Sequence, residues 1–226
     1  MLFPLRDVIP SRTTPLVTWL LVGFNVLLYV WLRLQSGGSA AQDAVFASWG
    51  VIPAAFSWIS AVTSMFLHAD MLHLGSNMVC LWIFGDNVED QLGHGRFLAF
   101  YLLCGVVAAL AETLASPGSL LPMVGASGAI AGVMGAYFVM FPKSQVLVLL
   151  FLVVYINVIE VPAVFFLAFW FLMQVLGGLG RSAEAASTGG VAFWAHAAGF
   201  LAGVAGARLL RRRERAQWEW RDGERD

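Results

Sequence analysis

Long apolar runs, such as "LVTWLLVGFNVLLYVWL" over 16–32 and "FLAFYLLCGVVAALAETLA" over 97–115, are separated only by short polar pieces. Runs of this kind approach the roughly 20 helical residues needed to cross a hydrocarbon core, where every backbone polar group must find its partner within the helix. They are continuous rather than alternating, which excludes a closed β-barrel. Charged residues make up 12% of the chain, against about a quarter in soluble domains, so a soluble fold is excluded as well.

Six spans are predicted, at about 14–34, 71–88, 97–115, 127–141, 161–178 and 191–210. The stretch "QVLVLLFLVVYINVIEVPAVFFLAFWFLMQVLGGLG" is too long for one upright helix and short for two, so Pro162 is expected to break it. Residues 146–157 then form a buried or interfacial piece, and 161–178 the span. With both termini on the cytoplasmic side, eleven Lys and Arg fall inside, including seven arginines from Arg208 onward, and only Arg33 and Arg181 fall outside. The arginines are therefore read as topology signals rather than as a nucleic-acid surface. "MLFPLRDVIPSRTTP" does not read as a cleavable signal, and the first span is expected to be retained. Residues 1–13 and 211–226 are expected to be cytoplasmic tails around one membrane domain, 14–210. Cys80 and Cys104 are expected as small buried hydrophobes.

In this topology the second, fourth and sixth spans all begin at the outer surface, so polar residues near their starts share one depth. Those residues are His73 and Asn77 in "HADMLHLGSN", Ser127 in "GASGA" and His196 in "GGVAFWAHAAG". Singly, a membrane serine is most often a packing residue. A membrane histidine requires a partner and marks a candidate functional site. Together a serine, a histidine and an amide supply a nucleophile, a general base and an oxyanion donor, the parts of acyl transfer. His73 and Asn77 lie four apart, on one helix face. Around them Gly125, Gly128, Gly132, Gly199 and Gly203 offer room for close helix packing, which would bring Ser127 toward His196.

These stretches, "GASGAIAG", "HLGSN", "AHAAGFLAG" and "FGDNVEDQLGHGRF", resemble the motifs of prokaryotic rhomboid intramembrane serine proteases, over about residues 14–208. The resemblance implies an all-α membrane protein, a six-helix bundle with a serine–histidine dyad in a water-filled cavity. Its activity would be cleavage of single-span or other transmembrane substrates in or near their helices, without cofactor or metal. It assigns the nucleophile to Ser127, the base to His196 and oxyanion stabilisation to His73 and Asn77, with the Ser127 backbone N–H as a further donor. It also implies a prokaryotic plasma membrane, with the site toward the outer face; oligomeric state is not indicated. Two positions differ: Ala131 stands where some members have a tyrosine packed on the histidine, and Trp58 is followed by Ile59 where many have arginine. What orients His196, and how the loop around Trp58 is held, are left open by the resemblance.

A proteolytically inactive client-binding relative and a transporter are the competing readings. Retention of both Ser127 and His196 argues against the first, and the lack of repeats or paired broken helices against the second. A soluble α/β-hydrolase is excluded because Gly-Ala-Ser-Gly lacks the nucleophile-elbow spacing. Asp70 is read as facing interfacial water, and Glu112 and Glu160 as structural. Asp86, Glu89, Asp90 and Arg96 are expected as a solvated network, and His68 and His94 as exposed. "GGLGRSAEAASTGG" is either a mobile cap or an ordinary loop. Trp218 and Trp220 lie on the inner leaflet or in a disordered tail.

Overall fold

The computed structural model describes residues 2–35, 38–152, 155–180 and 190–210. In chain order the elements are β1 (Leu2–Asp7), α1 (Leu16–Gln35), α2 (Ser39–Trp49), α3 (Trp58–Thr63), α4 (Met71–Leu92), α5 (His94–Ala115), α6 (Ser127–Met140), β2 (Gln145–Leu152), β3 (Tyr155–Pro162), α7 (Ala163–Gly180) and α8 (Phe193–Leu210). Helices α1, α4, α5, α6, α7 and α8 occupy the six predicted spans. Four of them, α1, α5, α7 and α8, are long and apolar enough to cross a membrane by length and composition. The basic tail over 211–226, with Trp218 and Trp220, lies outside the described residues, as do residues 181–189 of the connection over 177–190, expected as a mobile cap or an ordinary loop; its first four residues end α7.

Helix α6 is the axis of the bundle. Eleven of its fourteen residues are buried, so it has no polar face and needs no length beyond that of its neighbours' packing surface. It lies closest to α8, and glycines set the approach. A Cβ at Gly203 would come within 1.9 Å of the Gly132 carbonyl oxygen, and one at Gly199 within 2.1 Å of the Gly128 oxygen. In the other direction, a Cβ at Gly135 would fall 2.1 Å from the Phe200 oxygen. The backbones therefore touch where any side chain would separate them. The α4–α5 turn is equally tight: Gly93 has φ of 80°, a region that disfavours residues with a Cβ, and α5 starts at the next residue.

Residues 146–157, expected as one buried or interfacial piece, instead belong to a hairpin. Strand β2 pairs antiparallel with β3 from Gln145↔Pro162 to Leu152↔Tyr155, and β1 adds to the other side of β2. Val146 and Val148 point into the bundle and are fully buried, the period-two pattern of a strand with one covered face. Valines, isoleucines and a tyrosine in this segment fit a pleated surface better than a helix. Pro162 closes β3, and α7 begins immediately after it.

The sheet end of the bundle is sealed by acidic and amide side chains. The expectation of a solvated network there fails, because β1 and the start of α1 cover it: Glu89 is 1% exposed and Asp90 8%. Glu89 accepts hydrogen bonds from the Val17 N–H (2.9 Å), the Thr18 N–H (2.8 Å) and the Thr18 hydroxyl (2.8 Å), capping the first turn of α1. His94, exposed as expected, pairs with the same carboxylate. Asp90 accepts from Thr13 at 2.6 Å. Asp7, at the end of β1, accepts from Asn87 (2.8 Å) and from the Tyr137 hydroxyl (2.7 Å), which also bonds Ser144. Arg96 is exposed.

Candidate active site

At the opposite end, the first residue of α6 meets the first turn of α8. Ser127 Oγ lies 2.7 Å from His196 Nε2. Both side chains are partly exposed to a cavity of about 730 Å³ that is also lined by His73, Asn77, Glu112 and Trp170. His73 and Asn77 stand one turn apart on α4, whose N-terminus is capped by the Asp70 carboxylate accepting from the His73 N–H at 2.8 Å. Asp70 thus serves the helix end. Asn77 is 6% exposed, and its Nδ2 has no hydrogen-bond partner among the described residues. A buried donor without an acceptor is costly unless something fills the gap.

Gly125 explains how the two halves meet. Its φ of 129° is one that side chains disfavour, and a Cβ there would lie 2.7 Å from His73 Nε2 and 3.8 Å from Asn77 Nδ2. The backbone two residues before Ser127 is thereby brought against both α4 side chains. Gly125 is a loop residue whose N–H donates to the Ser64 carbonyl at 2.9 Å, while Gly128, Gly132, Gly199 and Gly203 line the α6–α8 contact.

The first turn of α8 has further supports. Glu112, near the end of α5, accepts from the Trp194 and Ala195 N–H groups, both at 3.1 Å, and so satisfies two of the donors that a helix start leaves open. Gln174 of α7 was not singled out from the sequence, yet its Oε1 lies 2.8 Å from His196 Nδ1. It is the lone amide in the apolar run "AVFFLAFWFLMQVLGGLG", which was the available signal. The Trp170 ring lies 5.9 Å from the His196 ring at 35°. These α7 groups surround the imidazole where Ala131 cannot.

The connection between α1 and α4 is held without an arginine after Trp58, which is exposed and packs edge-on against Phe56. Arg33 and Gln42 both donate to the Ala69 carbonyl, at 2.7 and 2.9 Å, and Val51 bridges to Met123. His68, expected to be exposed, is 3% exposed because this loop folds over it, with its ring 5.2 Å from that of His73. Burial, reinforced by neighbouring His73, holds its pKa down to about 4. Cys104 is buried, Cys80 is partly buried, and both are free thiols. Glu160 is exposed on β3.

Residues 55–213 match the family described as Rhomboid domain. Among curated relatives, the chain is 34% identical over 124 residues to Rhomboid protease GluP of Bacillus subtilis, covering 54% of this chain and 24% of that protein. It is 30% identical over 146 residues to the mitochondrial Rhomboid protein 1 of Saccharomyces cerevisiae, covering 60% and 39% of the two chains. To the Putative rhomboid protease YdcA of Bacillus subtilis it is 29% identical over 129 residues, covering 57% and 64%. The chain therefore spans less than two thirds of the length of these relatives. An apolar helical bundle around a cavity that carries Ser127, His196, His73 and Asn77 defines an integral membrane protein with an internal site. The chain belongs to the rhomboid family.

Proposed function

We propose that this protein is an intramembrane serine endopeptidase that hydrolyses peptide bonds in or near transmembrane segments of other membrane proteins. The observation that carries the reading is the 2.7 Å contact between Ser127 Oγ and His196 Nε2, made at the cavity beside Asn77 Nδ2, which has no partner among the described residues. His196 takes the Ser127 proton as Oγ attacks the scissile carbonyl carbon. The same imidazolium then delivers that proton to the departing amine as the C–N bond breaks. Water, deprotonated by His196, hydrolyses the acyl-enzyme and restores Ser127.

The oxyanion that forms in each half-reaction needs donors fixed in advance. Asn77 Nδ2, the His73 ring and the Ser127 backbone N–H are assigned this task, and the free Asn77 donor favours the assignment. Ser127 opens α6, so its N–H belongs to a helix start, where partial positive charge accumulates. The membrane unit is residues 14–210, joined by β1. Arginine placement supports cytoplasmic termini and a site facing the outer side of a prokaryotic plasma membrane.

A fluorescent serine-reactive phosphonate applied to the purified protein in mild detergent tests the chemistry. Labelling of the wild type, absent from Ser127→Ala and His196→Ala, is expected. An unlabelled, folded wild type alongside a labelled control enzyme would favour a client-binding protein instead.

A further inference from the structure

We infer that Gln174 is the positioning residue that holds His196 in the tautomer able to accept the Ser127 proton. The inference rests on the assignment of His196 as the base. The amide orientation follows from its two neighbours. Gln174 Nε2 faces the Trp170 carbonyl oxygen at 3.3 Å, an acceptor only, so the nitrogen belongs there. That leaves Oε1 toward the ring, 2.8 Å from Nδ1. An amide oxygen cannot donate, so a hydrogen bond at this distance requires the hydrogen on Nδ1. Nε2 then presents its lone pair to Ser127 Oγ, 2.7 Å away, and the serine hydroxyl must donate. In the opposite tautomer an imidazole lone pair would face the Gln174 oxygen, and an N–H would point at the hydroxyl it is meant to deprotonate.

A neutral acceptor also suits the location. A carboxylate at this depth would require its own desolvation to be offset, whereas an amide accepts the Nδ1 hydrogen without adding a buried charge. Gln174 comes from α7, not from α6 or α8. The α6 face beside α8 is filled by small groups, and a Cβ at Gly199 would lie 3.4 Å from that of Ala131. The ring is therefore steered from the α7 side by one hydrogen bond and restrained in tilt by Trp170.

The test is ¹⁵N NMR of the full chain, histidine-labelled in detergent micelles, combined with phosphonate labelling rates. The chain has only four histidines, and His196→Ala identifies the relevant signal. The wild type is expected to show a protonated Nδ1 and an unprotonated Nε2 at His196, at neutral pH. Gln174→Leu is expected to mix the tautomers and slow labelling by roughly 10- to 100-fold, the range seen when the partner orienting a metal-bound histidine is removed. Gln174→Glu keeps an acceptor oxygen in either protonation state and is expected to retain the Nδ1–H form and most of the rate. Thermal unfolding reports whether each variant folds. An Nε2–H wild type, or a folded Gln174→Leu protein with unchanged tautomer and rate, would overturn the inference. If Gln174→Leu does not fold, Gln174→Glu decides: loss of the Nδ1–H form in a folded protein overturns it, and retention supports it. A wild type that shows the Gln174-dependent tautomer but takes no label keeps the positioning role and removes the protease reading.

Discussion

The two ends of the bundle handle buried polar groups in opposite ways. At the sheet end, Glu89, Asp90, Asn87, Asp7 and Tyr137 are matched donor to acceptor, across segments more than seventy residues apart in sequence. At the cavity end Ser127, His196 and Asn77 line open space, and Asn77 Nδ2 has no hydrogen-bond partner among the described residues. Matched groups hold a fold together, whereas an unmatched donor beside a serine–histidine pair fits the oxyanion role proposed for Asn77. The first end is expected to govern stability and the second to govern rate.

The largest separation should come from Ser127→Ala and His196→Ala. Each is expected to lower peptide cleavage in proteoliposomes by roughly 10⁴-fold or more, as loss of a nucleophile or base does in other serine hydrolases, with little change in thermal unfolding. Retained turnover in either would remove that residue from its role. Asn77→Ala should follow, with a rate loss of roughly 10²- to 10³-fold expressed in kcat rather than KM. An unchanged kcat would end the oxyanion assignment. Glu89→Ala inverts the pattern: three donors of α1 lose their acceptor, for a cost of about 2–3 kcal/mol, read as a lower denaturation midpoint. The labelling rate of the surviving folded protein should match the wild type, and a slowed rate would mean that the two ends are coupled.

A further effect, seen only on acidification, is a pH dependence from His68, buried beside the cavity. Its folded pKa of about 4 lies below the ordinary value of 6.5, because burial favours the neutral ring. Stability from this group is thus present above about pH 6.5 and lost as pH falls toward 4. His68→Phe should flatten the stability profile in that window, as measured by unfolding at fixed pH values. A slope identical to the wild type would assign the acid sensitivity elsewhere.

The spans were legible because a bilayer forces apolar residues into continuous runs, and Ser127, His196, His73 and Asn77 stood out because polar groups in such runs are expensive. The hairpin was not, since a fully apolar run such as "VLVLLFLVV" has no period to separate strand from buried helix. Its partner β1 lies some 140 residues away along the chain. The same distance in sequence hid the burial of Glu89 and Asp90, whose neighbours read as a polar turn until α1 and β1 close over them. Gln174 was visible as a lone amide, but nothing local said that it faced a histidine twenty-two residues ahead.

The absent side chains between α6 and α8 have one more consequence. With the Gly132 carbonyl lodged where a methyl group on Gly203 would sit, and the Gly128 carbonyl likewise at Gly199, these two helices cannot slide or separate without giving up their closest contact. They form one stiff part that carries Ser127 and His196 on the same piece. The spacing between Ser127 and His196 is thereby gauged by residues with no chemistry of their own, so adding a single carbon at Gly203, about ten ångströms of helix rise from His196, is expected to detune the pair.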